Sequence, residues 1–255
     1  MAQPDHPYFA GSPLPRILAH RGLAGPGVSE NTIEAFVRAA EAGATHIESD
    51  VQVTRDGVAV LFHDHDLSRV AGDPRRIYEL DAAELANIDL KHGGRVPRLE
   101  DALAQLPNAR FNLDIKSDGA ARPAAEVINR LAAWNRVLVS SFSEARRKRT
   151  LSLLTHEVAT SAGSSLVLTA RVASALGMKN SVARLLRRVG ALQIPRHVGP
   201  LRLDGETFLT HLRAAAVEVH FWTINAPDEM RQLLSRGANG IVTDRADLAV
   251  EHLLP

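Results

Sequence analysis

Short β-branched runs alternate with longer helical patterns from near one end of this chain to the other, and that alternation narrows the fold more than any other feature. The runs are "RILAH" (16–20), "HIESDVQV" (46–53), "RFNLDIK" (110–116), "RVLVSSF" (136–142), "EVATSA" (157–162), "ALQIP" (191–195), "EVHFWTIN" (218–225) and "GIVTD" (240–244). Between them, "NTIEAFVRAAEAG" spaces its apolar residues three and four apart and puts Gly43 where a helix C-cap belongs. "AAEVINRLAAW", "SEARRKRTLSLL", "SSLVLTARVASALGM" with "SVARLLRRVG", "GETFLTHLRAAA", "PDEMRQLLSRGA" and "ADLAVEHLL" follow the same rule. Eight strands, each with a helix after it, predict the α/β class and a (β/α)8 TIM barrel. Alternation alone does not show closure, so a doubly wound open sheet is the competitor. The count of eight and the length of 255 residues favour the barrel, and an apolar content of 45% can fill its core. The expectation is a single barrel domain over residues 1–255.

One segment breaks the rhythm. After the second strand, "TRDGVAVLFHD" reads as a hairpin through the turn dipeptide Asp56-Gly57. A turn-rich stretch follows, with one short helix expected at 81–87. Residues 54–97, approximately, are therefore a small insertion in a βα loop. Barrels of this kind build their sites from the βα loops at the strand C-terminal ends, so the insertion is expected to overhang the site. Only the first dozen residues read as unstructured.

Charge removes several function classes. Lys plus Arg number 30 against 29 Asp plus Glu, a formal net charge of +1, which makes no case for nucleic acid or an anionic membrane as partner. Cysteine is absent, so disulfides and thiolate metal sites are excluded. The opening "PDHPYFAGSPLP" is too polar and proline-rich for a signal peptide, and no apolar run approaches the roughly 18 residues of a membrane helix. A cytoplasmic protein without stable membrane insertion is the expectation. "RRKR" (146–149) and "RLLRR" (184–188) sit in helical segments and read as solvated faces.

The strand ends carry the chemistry. "AHRG" delivers His20 and Arg21. Side chains alternate with a period of two, so "FNLDIK" sets Phe111, Leu113 and Ile115 against Asn112, Asp114 and Lys116. The apolar face must meet the helices, which turns Asn112, Asp114 and Lys116 inward. By the same logic Ile47, Val51 and Val53 face out while Glu48 and Asp50 face in. Carboxylates inside a barrel cost several kcal/mol unless protonated, paired or bound to a cation. A divalent cation would resolve the conflict for Glu48, Asp50 and Asp114, and three oxygen donors without cysteine suit Mg2+ or Ca2+. Salt bridging with Arg21 and Lys116 is the alternative. His20 and His63 flank this cluster and can serve as acid and base, while Arg21 and Lys116 offer the fixed positive charge a phosphate uses. These groups point to a metal-dependent phosphodiesterase or another barrel lyase.

"AHRG" followed by "ENTIEAF", "IESDVQVTRDGVAVLFHD", "LSRV" and "VPRLEDAL", then "FNLDIK", "VSSF", "FWTIN" and "GIVTDR" in the same order, resembles the glycerophosphodiester phosphodiesterase family over about residues 16–247. The resemblance implies that His20 and His63 are the catalytic acid/base pair. It implies that Arg21 and Lys116 bind phosphate, that Trp222 lines the pocket, and that Glu48, Asp50 and Asp114 hold one Mg2+ or Ca2+. It further implies hydrolysis of a small-molecule glycerophosphodiester to glycerol 3-phosphate and an alcohol, through attack of the glycerol 2-hydroxyl and a cyclic phosphate. Many members carry glutamate where this chain has Asp114, one methylene shorter, which leaves direct and water-mediated coordination both open. Glu30 and Asn31 of "ENT" match as well. Their reading from the residues is capping, with Asn31 or a neighbour starting the helix and Glu34 supporting it.

Two other readings stand beside this one. A lysophospholipase D-type enzyme would keep the site and need an apolar groove beside it, and the insertion has few large apolar residues to build one. A non-catalytic phosphodiester-binding module would be expected to lack a histidine or a carboxylate, whereas His20, His63, Glu48, Asp50 and Asp114 are all present.

Overall fold

The structure, a computed structural model, describes residues 5–254. Its strands are β1 (Arg16–His20), β2 (His46–Val53), β3 (Ala59–Leu61), β4 (Arg110–Ile115), β5 (Val137–Ser140), β6 (Ala159–Thr160), β7 (Ala191–Ile194), β8 (His197–Val198), β9 (Leu201–Arg202), β10 (Glu218–Phe221) and β11 (Gly240–Thr243). Eight of them run parallel in the order β6-β5-β4-β2-β1-β11-β10-β7. A parallel bridge from Ser161 to Ala191, with the Ala162 amide donating to the Ala191 carbonyl at 3.1 Å, joins the two ends. The barrel is thereby closed, though thinly at this seam, as the count of eight strands and the chain length favoured. Most of the expected strands run one to four residues too far at their C-terminal ends, because the chain leaves the ladder there to build the site.

The helices are α1 (Ile33–Glu41), α2 (Ser68–Ala71), α3 (Ala82–Leu85), α4 (Leu99–Gln105), α5 (Ala121–Arg130), α6 (Glu144–Ser152), α7 (Ser164–Ala175), α8 (Lys179–Leu186), α9 (Glu206–Ala214), α10 (Pro227–Ser235) and α11 (Ala246–Leu253). Among the described residues no helix is long and apolar enough to cross a membrane. Helix α4 is the barrel helix that follows β2, and the sequence reading lacked it. Its signal was present in Leu99, Ala102, Leu103 and Leu106, spaced three, four and seven apart and all buried. Between β2 and α4 lies the insertion. It turns at Gly57 (φ 84°), pairs β3 antiparallel to β2, and packs Val60, Phe62, Leu67, Ile77, Leu80 and Leu90 into a small core of its own. The helix expected at 81–87 is the shorter α3, and Glu84 Oε2 accepts from the Asp81 amide at 2.8 Å at its start.

The N-terminal end of the barrel corrects the expectation of an unstructured leader. Residues 1–4 lie outside the described residues, but Tyr8 and Phe9 are buried against Leu138, Ala159 and Ala191 and plug the barrel from below. Tyr8 meets His46 edge-on at 4.9 Å, and Arg16 Nη2 donates to the Phe9 carbonyl at 2.8 Å. "RRKR" also departs from a solvated face: Arg147 is buried, paired with Glu144, and donates to Thr160 Oγ1 at 3.0 Å.

Deep in this lower half, Arg16 clamps Glu218 with two bonds, Nε to Oε2 at 2.8 Å and Nη2 to Oε1 at 2.6 Å. Burial alone would raise the Glu218 carboxyl, but the Arg16 and His220 bonds overcome it and hold the group down at about 2. A depressed acid contributes stability that is present above its unfolded value and lost as pH falls toward its folded one. Stability is therefore expected to drop between about pH 5 and pH 2 by roughly 3 kcal/mol through this group. Glu218→Gln should flatten that part of the curve. Urea unfolding across the range checks it, and an unchanged acid slope in the variant would refute the assignment.

Candidate active site

Strand parity decides what the barrel encloses. Ile47, Val51, Phe111, Leu113 and Ile115 pack outward beneath the helices in one apolar cluster. Their neighbours Glu48, Asp50, Asn112 and Asp114 face in and line a cavity of about 770 Å³. Register sets His20 beside Glu48 and Asp50 beside Asp114. All eight residues named from the sequence, His20, Arg21, Glu48, Asp50, His63, Asp114, Lys116 and Trp222, border this cavity.

Each histidine is held by an aspartate. His20 Nδ1 lies 2.6 Å from Asp244 Oδ1, and its Nε2 stands 4.0 Å from Glu48 Oε2. Burial favours the neutral ring, yet the Asp244 bond and the Glu48 charge together raise His20 above its ordinary value. Asn225 fixes Asp244 in turn, donating to Oδ2 at 2.8 Å while its own Oδ1 accepts from the Asp244 amide at 2.9 Å. His63 arrives from the insertion, with Nδ1 2.7 Å from Asp64 Oδ1. Asp64 is gripped by Arg69 Nε at 2.6 Å. Arg69 also binds Glu30, which accepts from Arg21 Nη1 at 2.8 Å. One chain of charges thus ties the insertion to the end of β1.

Sequence reasoning passed over Asp244, Asn225, Asp64 and Arg69. A signal existed for Asp244: a carboxylate ending the last strand becomes the neighbour of a histidine ending the first once the barrel closes. Asp244→Asn is expected to lower turnover about 10²-fold with little change in KM, since it removes the ring's orienting partner and not a substrate contact. Steady-state kinetics check it, and a change confined to KM would contradict the role.

Asp50 is the hub of the inner cluster. Lys116 Nζ lies 2.8 Å from its Oδ1, Arg21 Nε 3.3 Å from its Oδ2, and Asn31 Nδ2 donates to Oδ2 at 3.1 Å. Asn31 does not cap α1. Its neighbour Thr32 does, with Oγ1 accepting from the Ala35 amide at 3.2 Å, and Asn31 turns inward to orient Asp50. Lys116 also meets Asp114 Oδ2 at 2.7 Å. The salt-bridge alternative is thus realised for two carboxylates, while among the described residues Glu48 pairs with no Lys or Arg and has only His20 at 4.0 Å. Burial and the charge of Asp50 push the Glu48 carboxyl up to about 7.

Among the described residues no three His, Cys, Asp or Glu side chains form a ready-made metal cage. The donor set nevertheless fits a hard divalent cation. Its donors are carboxylate oxygens on adjacent strands, with Glu48 and Asp50 on β2 and Asp114 facing Asp50 from β4.

The opposite wall is apolar. Phe142, Val167, Leu168, Ile194, Val198 and Leu203 line it, drawn from the loop after β5, from α7, and from β7 and the β8–β9 hairpin. Trp222 stands between the halves, edge-on to Phe142 at 5.9 Å, and Lys116 Nζ sits 5.5 Å from the Phe142 ring centre.

A closed (β/α)8 barrel with acid/base, carboxylate and cationic groups at its C-terminal rim defines a barrel hydrolase of the phosphate-ester type. The family model described as the glycerophosphoryl diester phosphodiesterase family matches residues 20–248, and the chain belongs to that family. It is 40% identical over 237 residues to a probable glycerophosphodiester phosphodiesterase 2 of Mycobacterium tuberculosis, covering 93% of this chain and 90% of that one. A crystal structure of the glycerophosphodiester phosphodiesterase of Thermotoga maritima superposes with a TM-score of 0.73 at 25% identity, over 92% of this chain and 97% of that one. An Oleispira antarctica phosphodiesterase, solved with the product sn-glycerol-3-phosphate, shares the fold with a TM-score of 0.75 at 22% identity, over 94% and 97% of the two chains.

Proposed function

We propose that this protein hydrolyses glycerophosphodiesters to glycerol 3-phosphate and an alcohol. The observation that carries the reading is the pair of aspartate-held histidines on either side of a cavity floored by Asp50, Asp114, Arg21 and Lys116. Arg21 and Lys116 bind the phosphate. His63, with Nδ1 directed at Asp64, accepts the proton of the glycerol 2-hydroxyl as that oxygen attacks phosphorus. His20, whose protonated form Asp244 supports, gives its proton to the departing alcohol. A cyclic phosphate results, and the two rings exchange roles when water opens it to glycerol 3-phosphate. A divalent cation, Mg2+ or Ca2+, held by Glu48, Asp50 and Asp114, would supply charge neutralisation for the phosphate. Trp222 walls the pocket beside the leaving group.

The test is release of glycerol 3-phosphate from glycerophosphocholine by chelator-stripped protein, before and after Mg2+ or Ca2+ is restored. Turnover that returns with an ion supports the whole reading. Undiminished turnover after stripping removes the cation from it, and silence on every glycerophosphodiester favours the binding module.

A second reading, in which the same site accepts lysophospholipids, is favoured by the apolar wall. That wall comes from the loop after β5, α7, β7 and the β8–β9 hairpin and not from the insertion, so the shortage of large apolar residues in the insertion no longer counts against it. Leu168→Asp should then lower kcat/KM for lysophosphatidylcholine while sparing glycerophosphocholine. Equal losses on both would end it.

A further inference from the structure

The near-neutral total charge conceals a sharp local imbalance. From residue 158 to residue 203 there is no Asp or Glu, although the chain has 29, while seven of its 30 Lys and Arg fall there: Arg171, Lys179, Arg184, Arg187, Arg188, Arg196 and Arg202. This segment runs from β6 through α7, α8 and β7 to the β8–β9 hairpin, and α7, β7 and the hairpin supply most of the apolar wall and rim of the cavity. Arg196 and Arg202 pair with Asp204. Among the described residues Arg171, Lys179, Arg184, Arg187 and Arg188 have no carboxylate partner.

The same segment holds most of the large apolar side chains that the fold leaves in water. Leu168, Val172 and Leu176 follow one another at intervals of four, a single stripe along α7, and they are 53%, 51% and 69% exposed. The stripe begins at the cavity, which Leu168 lines, and continues into Met178 of the turn before α8. Val198, at the tip of the hairpin, is 57% exposed and also borders the cavity. Phe142 adds a sixth exposed side chain across the mouth. Helices with an apolar stripe flanked by Lys and Arg, and free of carboxylates, have the composition of an interfacial element that rests on lipid.

We infer that α7, α8 and the β8–β9 hairpin form a docking face for the surface of an anionic phospholipid bilayer, with the cavity opening at its edge. The positive charge selects the occupant. A protein partner or a second copy would be expected to meet a mixed-charge surface, and a duplex nucleic acid would leave the Leu168–Val172–Leu176 stripe uncovered. The cations draw the face to anionic headgroups and the stripe seats among the acyl chains at the boundary, without any segment crossing the bilayer. This binding is independent of hydrolysis and can be read without it.

The experiment is sedimentation of the full chain with vesicles of phosphatidylglycerol and phosphatidylcholine in equal parts, beside vesicles of phosphatidylcholine alone. The protein is expected to pellet with the first and not the second, and to be released at about 1 M salt, where the screening length shrinks to about 3 Å. Val172→Ser with Leu176→Ser, and separately Lys179→Glu with Arg184→Glu, should each weaken binding about tenfold or more. Both pairs lie on exposed surface outside the catalytic cavity, so thermal unfolding and turnover of glycerophosphocholine should match the wild type. Binding that ignores lipid charge, fails altogether, or survives unchanged in either paired variant overturns the inference. So does tighter binding to duplex DNA than to the anionic vesicles, or a dimer in sedimentation velocity that the Val172 and Leu176 substitutions dissolve.

Discussion

His63→Ala is expected to reduce hydrolysis of glycerophosphocholine by about three orders of magnitude while leaving the protein as stable as before. The two halves of that expectation come from different observations. His63 is 36% exposed and sits on the insertion, and among the described residues its one side-chain bond is to Asp64, so removing the ring opens no cavity and strands no buried charge. Its place at the cavity, with Nδ1 turned to Asp64, leaves Nε2 as the atom that can take a proton from the attacking hydroxyl. Asp64→Asn keeps the ring but weakens its support and should cost about tenfold to 10²-fold. A structural role for His63 would give the reverse pattern, with a lowered unfolding midpoint and a modest kinetic change. Kinetics and urea unfolding on the same preparations separate the two, and turnover within tenfold of wild type in His63→Ala would remove it from the mechanism.

Much of the site was legible because strands obey a strict period of two. Ile47, Val51, Phe111 and Leu113 had to meet helices, and that requirement alone turned Glu48, Asp50 and Asp114 into the barrel, where the structure has them. What escaped were pairings that only tertiary closure creates. His20 and Asp244 are 224 positions apart, and nothing near either one announces the 2.6 Å contact. Arg69 lies in a turn-rich insertion without periodicity, so its double grip on Asp64 and Glu30 has no local signature. The N-terminal segment misled for the opposite reason. Its prolines and polar residues look like an unstructured start, yet two aromatic side chains, Tyr8 and Phe9, pack on Leu138, Ala159 and Ala191 and plug the barrel from below. The acid-free stretch from 158 to 203 was visible in the chain all along, hidden by a charge total taken over its full length.

Asp50→Ala should be the substitution with the largest combined effect. Asp50 is 2% exposed and faces two cations, Lys116 and Arg21, together with the Asn31 amide. Removing one partner of a buried ion pair typically costs about 3–5 kcal/mol, because the other charge is left uncompensated. Here Lys116 keeps Asp114 and Arg21 keeps Glu30, so the lower end applies, about 3 kcal/mol, or roughly 10 °C in unfolding temperature for a chain of this size. A second effect works against the first. Asp50 is one of the charges that push the Glu48 carboxyl up to about 7, and its loss lets Glu48 ionise more readily. The two contributions make stability alone a poor judge of what Asp50 is for. Ion binding is the sharper measure: a cation that binds only the folded wild type raises its unfolding temperature with concentration. That rise is expected with Mg2+ or Ca2+ for wild type and for His63→Ala, which keeps the carboxylates, and to vanish in Asp50→Ala together with turnover. If Asp50→Ala still gains stability from the ion as wild type does, the carboxylate serves Lys116 and Arg21 alone, and the cation must be sought elsewhere on the rim.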